Sequence, residues 1–142
     1  MTDCVFCRIL AGELPVSLTY RDQRCAAFMD IQPVNPGHLL VVPLEHRPYL
    51  ADIDGETAGH LMRVAHRLAA ALRASDVRCE GVNLFLADGE AAMQEVFHVH
   101  LHLVPRTSGD GFGIRARAQT PNRTVLDGTA DALRAAVESF GA

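Results

Sequence analysis

The sequence predicts an α+β fold, on three observations. Short apolar, β-branched runs follow one another with turn signals between them. One long stretch carries helical periodicity, and it falls between the third and fourth runs rather than alternating with them. The expected architecture is a meander of about five strands with a long inserted helix and a short closing helix.

Cys4 to Leu10 reads as a knuckle or short helix stopped at Ala11-Gly12. After Leu14-Pro15, Val16 to Tyr20 forms the first strand, Arg21-Asp22-Gln23 a turn and Cys25 to Asp30 the second strand. Pro33, Asn35, Pro36 and Gly37 make Gln32 to Gly37 a loop. His38 to Pro43 is an apolar run closed by proline, as in a buried strand. Asp54 caps a helix from Gly55 to Ser75, whose stripe of Leu61, Val64, Ala65, Leu68 and Leu72 keeps three-and-four spacing. His60 and His66, on or beside this helix, read as surface residues. Gly81 to Ala87 is the next strand, Asp88-Gly89-Glu90 a turn and Val96 to Val104 the last strand. Gly109 to Gly113 is a glycine-rich loop, too weak a signal for phosphate binding. Thr129 to Phe140 closes the chain as a short helix with Leu133, Val137 and Phe140 on one side. No repeat or linker interrupts this order, so residues 1–142 read as a single domain.

Charge and composition narrow the function. A net charge of −4 leaves no basic excess for a general nucleic-acid partner. All 13 cationic side chains are arginine, which removes Schiff-base and P-loop lysines from consideration. No apolar run approaches the roughly 20 residues of a membrane span, and Met1-Thr2-Asp3 is a polar start unlike a signal peptide. A cytoplasmic protein without a membrane partner is expected. In a reducing compartment Cys4, Cys7, Cys25 and Cys79 stay thiols, Cys25 and Cys79 as small buried hydrophobes.

The most informative segment runs from Phe97 to Arg106. Strand side chains alternate, so His98, His100 and His102 share one face, roughly 6.6–7 Å apart, opposite Val99, Leu101 and Leu103. The apolar face supplies the core, which leaves three imidazoles for chemistry. Two mechanisms fit. The three histidines bind a catalytic zinc whose water attacks, or one histidine attacks an electrophile itself. The spacing is compatible with both. Cys4-x-x-Cys7 has zinc-knuckle spacing, and a closed site needs two more ligands from among seven histidines. His46 and His98 are the pair considered, against thiols that simply pack. On its own Asp30 reads as a solvated or turn-capping aspartate, and His38 is open between a satisfied core histidine and a functional one. Arg106 reads as a surface or dimer contact, with phosphate binding as the second reading.

These residues resemble the histidine triad (HIT) family. The resemblance rests on Gln94-Glu95-Val96-Phe97-His98-Val99-His100-Leu101-His102-Leu103-Val104-Pro105-Arg106. It is extended by Cys4-Val5-Phe6-Cys7, Phe28-Met29-Asp30, Pro36-Gly37-His38-Leu39-Leu40-Val41-Val42-Pro43 and Asn83 in the family's order, over about residues 4 to 113. It implies a HIT-like sheet of five antiparallel strands with two helices, paired into a homodimer. It implies nucleotidyl hydrolase or transferase chemistry at the α-phosphate of a purine nucleotide conjugate, a dinucleoside polyphosphate or a nucleoside phosphoramidate. By the same resemblance His100 is the nucleophile, His102 and Gln94 contact the phosphate and leaving group, and His38 orients the triad from behind. Asp30 binds the ribose, Phe6, Ile9, Phe28 and Ile31 form the base slot, and Asn83 belongs to the nucleotide site. Cys4, Cys7, His46 and His98 hold a structural zinc, with no catalytic metal or organic cofactor. Two positions depart from the family: Met93 replaces a common glycine, and Glu95 replaces the serine of the phosphoramidase branch, where it could meet a cationic leaving group. The competing functions are a mononuclear zinc hydrolase using the triad as ligands, and a nucleotide-binding sensor with little turnover.

Overall fold

Five strands, β1 (Leu18–Arg21), β2 (Cys25–Met29), β3 (Leu39–Pro43), β4 (Gly81–Phe85) and β5 (Leu101–Arg106), form one sheet in the order β1-β2-β3-β5-β4. Every neighbouring pair is antiparallel. The structure is a computed structural model and describes residues 3–141. Its contacts divide the chain into two compact units, Met1–Phe112 and Gly113–Ala142.

In the first unit each face of the sheet has its own apolar layer. Helix α2 (Gly55–Ala74) starts where the Asp54 carboxylate accepts the Thr57 N–H at 2.7 Å. Its Leu61, Val64, Ala65 and Leu72 pack on Cys25, Ala27, Leu39, Val41, Leu101 and Leu103, which alternate along the three central strands. The opposite face carries a smaller cluster of Phe6, Phe28, Leu40 and Val42, with Phe6 supplied by helix α1 (Val5–Leu10). Cross-strand register aligns Leu18, Phe28, Leu40, His102 and Phe85 in a single row across all five strands on this second face.

The histidine segment departs from the expected strand. β5 begins at Leu101, not Val96, so only His102 of the three histidines lies in the sheet. Continuing the β3–β5 register past Val41↔Leu101 would set Val99 against Pro43, which has no N–H to give to the ladder. The Val99 N–H turns instead to the Arg47 carbonyl at 2.8 Å. The histidine face is also not left open, because the second cluster buries His98 completely and His100 to 7% exposure.

His60 is not a free surface residue. Its Nε2 lies 2.6 Å from Asp22, which also accepts the Tyr20 hydroxyl at 2.7 Å, tying the β1–β2 turn to α2. Two single-turn 3-10 segments, Leu50–Asp52 and Glu90–Ala92, occupy stretches read as loop and turn. In the second unit, helix α3 (Arg123–Ser139) is longer than the expected closing helix. The Asn122 side chain caps it by accepting the Val125 N–H at 3.0 Å, and the interior Gly128 hid its first turns from a propensity reading. Among the described residues no helix is long and apolar enough to cross a membrane.

Gly37 closes the loop before β3 with φ +96°, and a Cβ there would lie 2.7 Å from Val77 Cγ1 and 3.0 Å from Pro105 Cγ. Gly37→Ala combines a left-handed backbone with a steric clash, and the backbone alone costs about 1–2 kcal/mol. A urea midpoint lowered by at least that much, with the slope unchanged, is the expected outcome.

Candidate active site

The site is organised around His98. Its Nε2–H donates to the Pro43 carbonyl at 2.8 Å, which leaves the Nδ1 lone pair facing two thiols. Cys4 Sγ lies 3.4 Å and Cys7 Sγ 3.6 Å from that nitrogen, and Cys7 Sγ lies 3.4 Å from His46 Nδ1. The four donor atoms are all within 4.8 Å of one another. A tetrahedral zinc with ordinary Zn–S and Zn–N bonds places its sulfur and nitrogen ligands about 3.5 Å apart, so the donor set and its separations fit such an ion. Burial, then the adjacent Cys4 thiol, pushes Cys7 up to about 11, a cost that a cation between the sulfurs removes. The cluster can therefore bind metal. The main chain helps to shape it: Cys4 caps α1 and its sulfur accepts the Cys7 N–H at 3.4 Å.

His100 follows from the same residue. Its Nδ1 lies 2.7 Å from the His98 carbonyl, so Nδ1 carries the proton and Nε2 presents a lone pair. Burial holds His100 below the ordinary imidazole value, only partly opposed by that carbonyl and by Asp30. The ring is neutral at pH 7. The Phe6 ring meets it edge to face at 5.0 Å.

A second chain of hydrogen bonds sets His102. The Val34 N–H donates to His38 Nδ1 at 3.0 Å, so the neutral His38 carries its proton on Nε2. That atom is 2.9 Å from His102 Nδ1, which accepts, and His102 is left with its own proton on Nε2. Burial, followed by the neighbouring His100 and His38, lowers His102 to about 4. His102 is therefore a hydrogen-bond donor while neutral, and donation does not require the protonated ring. Asp30 stands behind with Oδ2 3.5 Å from His38 Nε2, and its Oδ1 accepts the Gln32 N–H at 2.8 Å. His100 and His102 rings are 4.9 Å apart, closer than strand spacing predicts because the chain is not strand at His100.

The remaining predicted residues divide. Gln94 is buried and gives both amide hydrogens to carbonyls, at 2.7 Å to Pro48 and 3.2 Å to Val96, while its Oε1 accepts the Gly89 N–H at 2.8 Å. In this state it braces the turn before the histidines. Phe6 and Phe28 are core residues packed edge to face at 5.5 Å, Ile9 is half-buried, and Ile31 is 94% exposed beside Asp30. Asn83 shares the histidine face, and its Oδ1 accepts from Arg106 at 2.6 Å. Arg106 also forms a bidentate pair with Asp110, at 2.7 Å for both bonds, so its guanidinium is committed within the protein. Met93 holds a left-handed backbone, φ 68°, with its side chain 84% exposed. Glu95 lines a cavity of about 370 Å³ together with Cys4 and His46, and neither His100 nor His102 lines it.

No metal-capable group among the described residues contains His98, His100 and His102 together. The triad's nitrogens diverge, to Pro43 and the thiols, to the His98 carbonyl, and to His38, which removes the geometric basis for a three-histidine zinc. Sequence reading missed Phe85, whose ring stacks on His102 at 4.2 Å. It also missed the Pro43 carbonyl and Val34 amide, which carry no side-chain signal.

An antiparallel five-stranded sheet with a buried histidine row beside a Cys/His cluster defines a HIT-type protein. The chain belongs to the HIT family, and the HIT domain model matches residues 11–109. An uncharacterised HIT-like protein of Borreliella burgdorferi is 40% identical over 116 residues, covering 81% of this chain and 84% of that one. The adenosine 5'-monophosphoramidase of Saccharomyces cerevisiae is 38% identical over 103 residues, 72% of this chain and 62% of the yeast protein. A zinc-bound histidine triad family protein from Mycobacterium smegmatis superposes with a TM-score of 0.76 at 37% identity, covering 98% of both chains.

Protein isolated without chelator is expected to hold one metal ion per chain by elemental analysis. Cys7→Ser should weaken metal binding by at least the roughly 10–100-fold that loss of a mere outer-shell partner costs. Retention of a full equivalent by that variant would place the metal elsewhere.

Proposed function

We propose that this protein is a nucleotide hydrolase or nucleotidyl transferase that acts through a covalent nucleotidyl-histidine at His100. The observation that carries this reading is the 2.7 Å bond from His100 Nδ1 to the His98 carbonyl, which turns a neutral Nε2 lone pair into the ring's reactive atom. An uncharged nucleophile approaches a phosphate without charge repulsion. Nε2 attacks the α-phosphorus, a P–N bond forms, and the bond to the leaving group breaks. The leaving group departs with its developing charge met by a hydrogen bond from His102 Nε2–H and takes its proton from water, so that His102 stays neutral throughout. The imidazole then bears positive charge, which the His98 carbonyl stabilises through the retained Nδ1–H. Water attacks the same phosphorus in the second step, breaks the P–N bond and releases the nucleoside monophosphate.

The substrate class is a purine nucleotide conjugate, a phosphoramidate or a dinucleoside polyphosphate, in keeping with the monophosphoramidase activity that names the yeast relative. In this reading Asp30 accepts the ribose hydroxyls, and Phe6, Ile9, Phe28 and the exposed Ile31 form the base slot. Zinc is the metal proposed for Cys4, Cys7, His46 and His98, supported by the donor set and the zinc-bound relative. It would cross-link α1, the loop after β3 and the segment before β5. The working assembly is a homodimer, to be checked by light scattering on the eluted protein.

The test is a panel of adenylate and guanylate conjugates with wild type and His100→Ala. His100→Ala should lower kcat by at least about 10³-fold, since it removes the covalent route. Brief incubation of wild type with radiolabelled conjugate should leave an acid-labile label on the protein, absent from the variant. Equal turnover by the two proteins would end this reading.

A further inference from the structure

We infer that Phe85 is a positioning residue for His102, holding its ring in the plane from which Nε2–H is offered to substrate. This inference rests on the reading of His100 and His102 as a nucleotidyl-transfer pair and adds a residue to it. The register sets Phe85 directly opposite His102 across the β4–β5 ladder, so both side chains leave the sheet on the same face. Their rings are parallel to within 14° at 4.2 Å, a face-to-face stack. The other rings beside His102 are tilted, His38 by 45° at 5.2 Å and His100 by 58° at 4.9 Å, and offer no flat wall.

An imidazole on a strand has a broad, roughly two-fold torsion about Cβ–Cγ. Two constraints are needed to fix it: one for the plane of the ring and one for which of two flips it adopts. The His38 Nε2–H bond to Nδ1 at 2.9 Å selects the flip, because the flipped ring would present a carbon there. The Phe85 stack selects the plane. Among the described residues β4 is the edge of the sheet, so no further strand of this chain lies beyond Phe85. The titratable groups facing His102 are His38, His100 and Asp30, and none of them covers the face that Phe85 covers.

The test uses metal-loaded protein with ¹⁵N-labelled histidine, together with steady-state kinetics on the conjugate panel. Wild type should show His102 as a single Nε2–H tautomer. Phe85→Ala, and Phe85→Leu, which keeps apolar bulk without a flat face, should each let the ring leave the plane in which the His38 bond is made and so give averaged His102 nitrogen shifts. Both should lose at least about tenfold in kcat, the scale of a misplaced catalytic group, with KM within about twofold. Phe85→Tyr, which restores the flat face, should recover both readouts. A wild-type tautomer pattern in Phe85→Leu, or a Phe85→Tyr protein that resembles Phe85→Leu, would overturn the inference. If wild type turns over none of the conjugates while the nitrogen shifts still separate the variants, the functional reading fails and the positioning role stands.

Discussion

His98 is the residue on which the rest of the site depends. Its ring and its main chain are used in three directions at once. Nε2–H is held by the Pro43 carbonyl, Nδ1 faces the thiols of Cys4 and Cys7, and the carbonyl takes the Nδ1 proton of His100. The orientation of the metal-capable cluster and the tautomer of the proposed nucleophile are therefore coupled through one peptide unit. The bond to His100 depends on the absence of a regular ladder here, since a strand would spend the His98 carbonyl on a neighbouring strand.

Burial sets the protonation of this arrangement. The small cluster of Phe6, Phe28, Leu40 and Val42 takes water away from the histidines and keeps them neutral near pH 7. With protonation suppressed, tautomers decide which nitrogen gives and which accepts. Val34 N–H to His38, and His38 to His102, is a relay of orientation whose outcome is a neutral donor at His102 Nε2. The loop that carries Val34 is itself held, because Asn35 donates to both Asp110 and the Pro105 carbonyl while Arg106 grips Asp110.

Much of this was legible in one dimension where the information is local. The alternation of Val99, Leu101 and Leu103 with three histidines separated the face packed on α2 from the face that carries the histidines, and the Asp54 cap and apolar stripe located α2. The Cys4-x-x-Cys7 spacing pointed to a metal-capable cluster, and His46 and His98 do meet it. Less legible were consequences that need a partner strand. Pro43 interrupts pairing fifty-six residues before Val99, so the strand expected from Val96 starts only at Leu101. Gln94 has the right chemistry for a phosphate contact, yet its amide is taken by the carbonyls of Pro48 and Val96.

Residue order alone established the α+β class, the histidine row, the thiol pair and the membership of the HIT family. The first three follow from side-chain type and from periods of two and 3.6, which any stretch of chain carries with it, and the family from the motif around His98, His100 and His102. Which imidazole nitrogen holds a proton, which face of His102 is covered, and which predicted ligands are free to act were settled only in three dimensions. Each is fixed by a carbonyl, an amide or a ring brought in from a distant segment, and main-chain donors look the same at every position of a sequence.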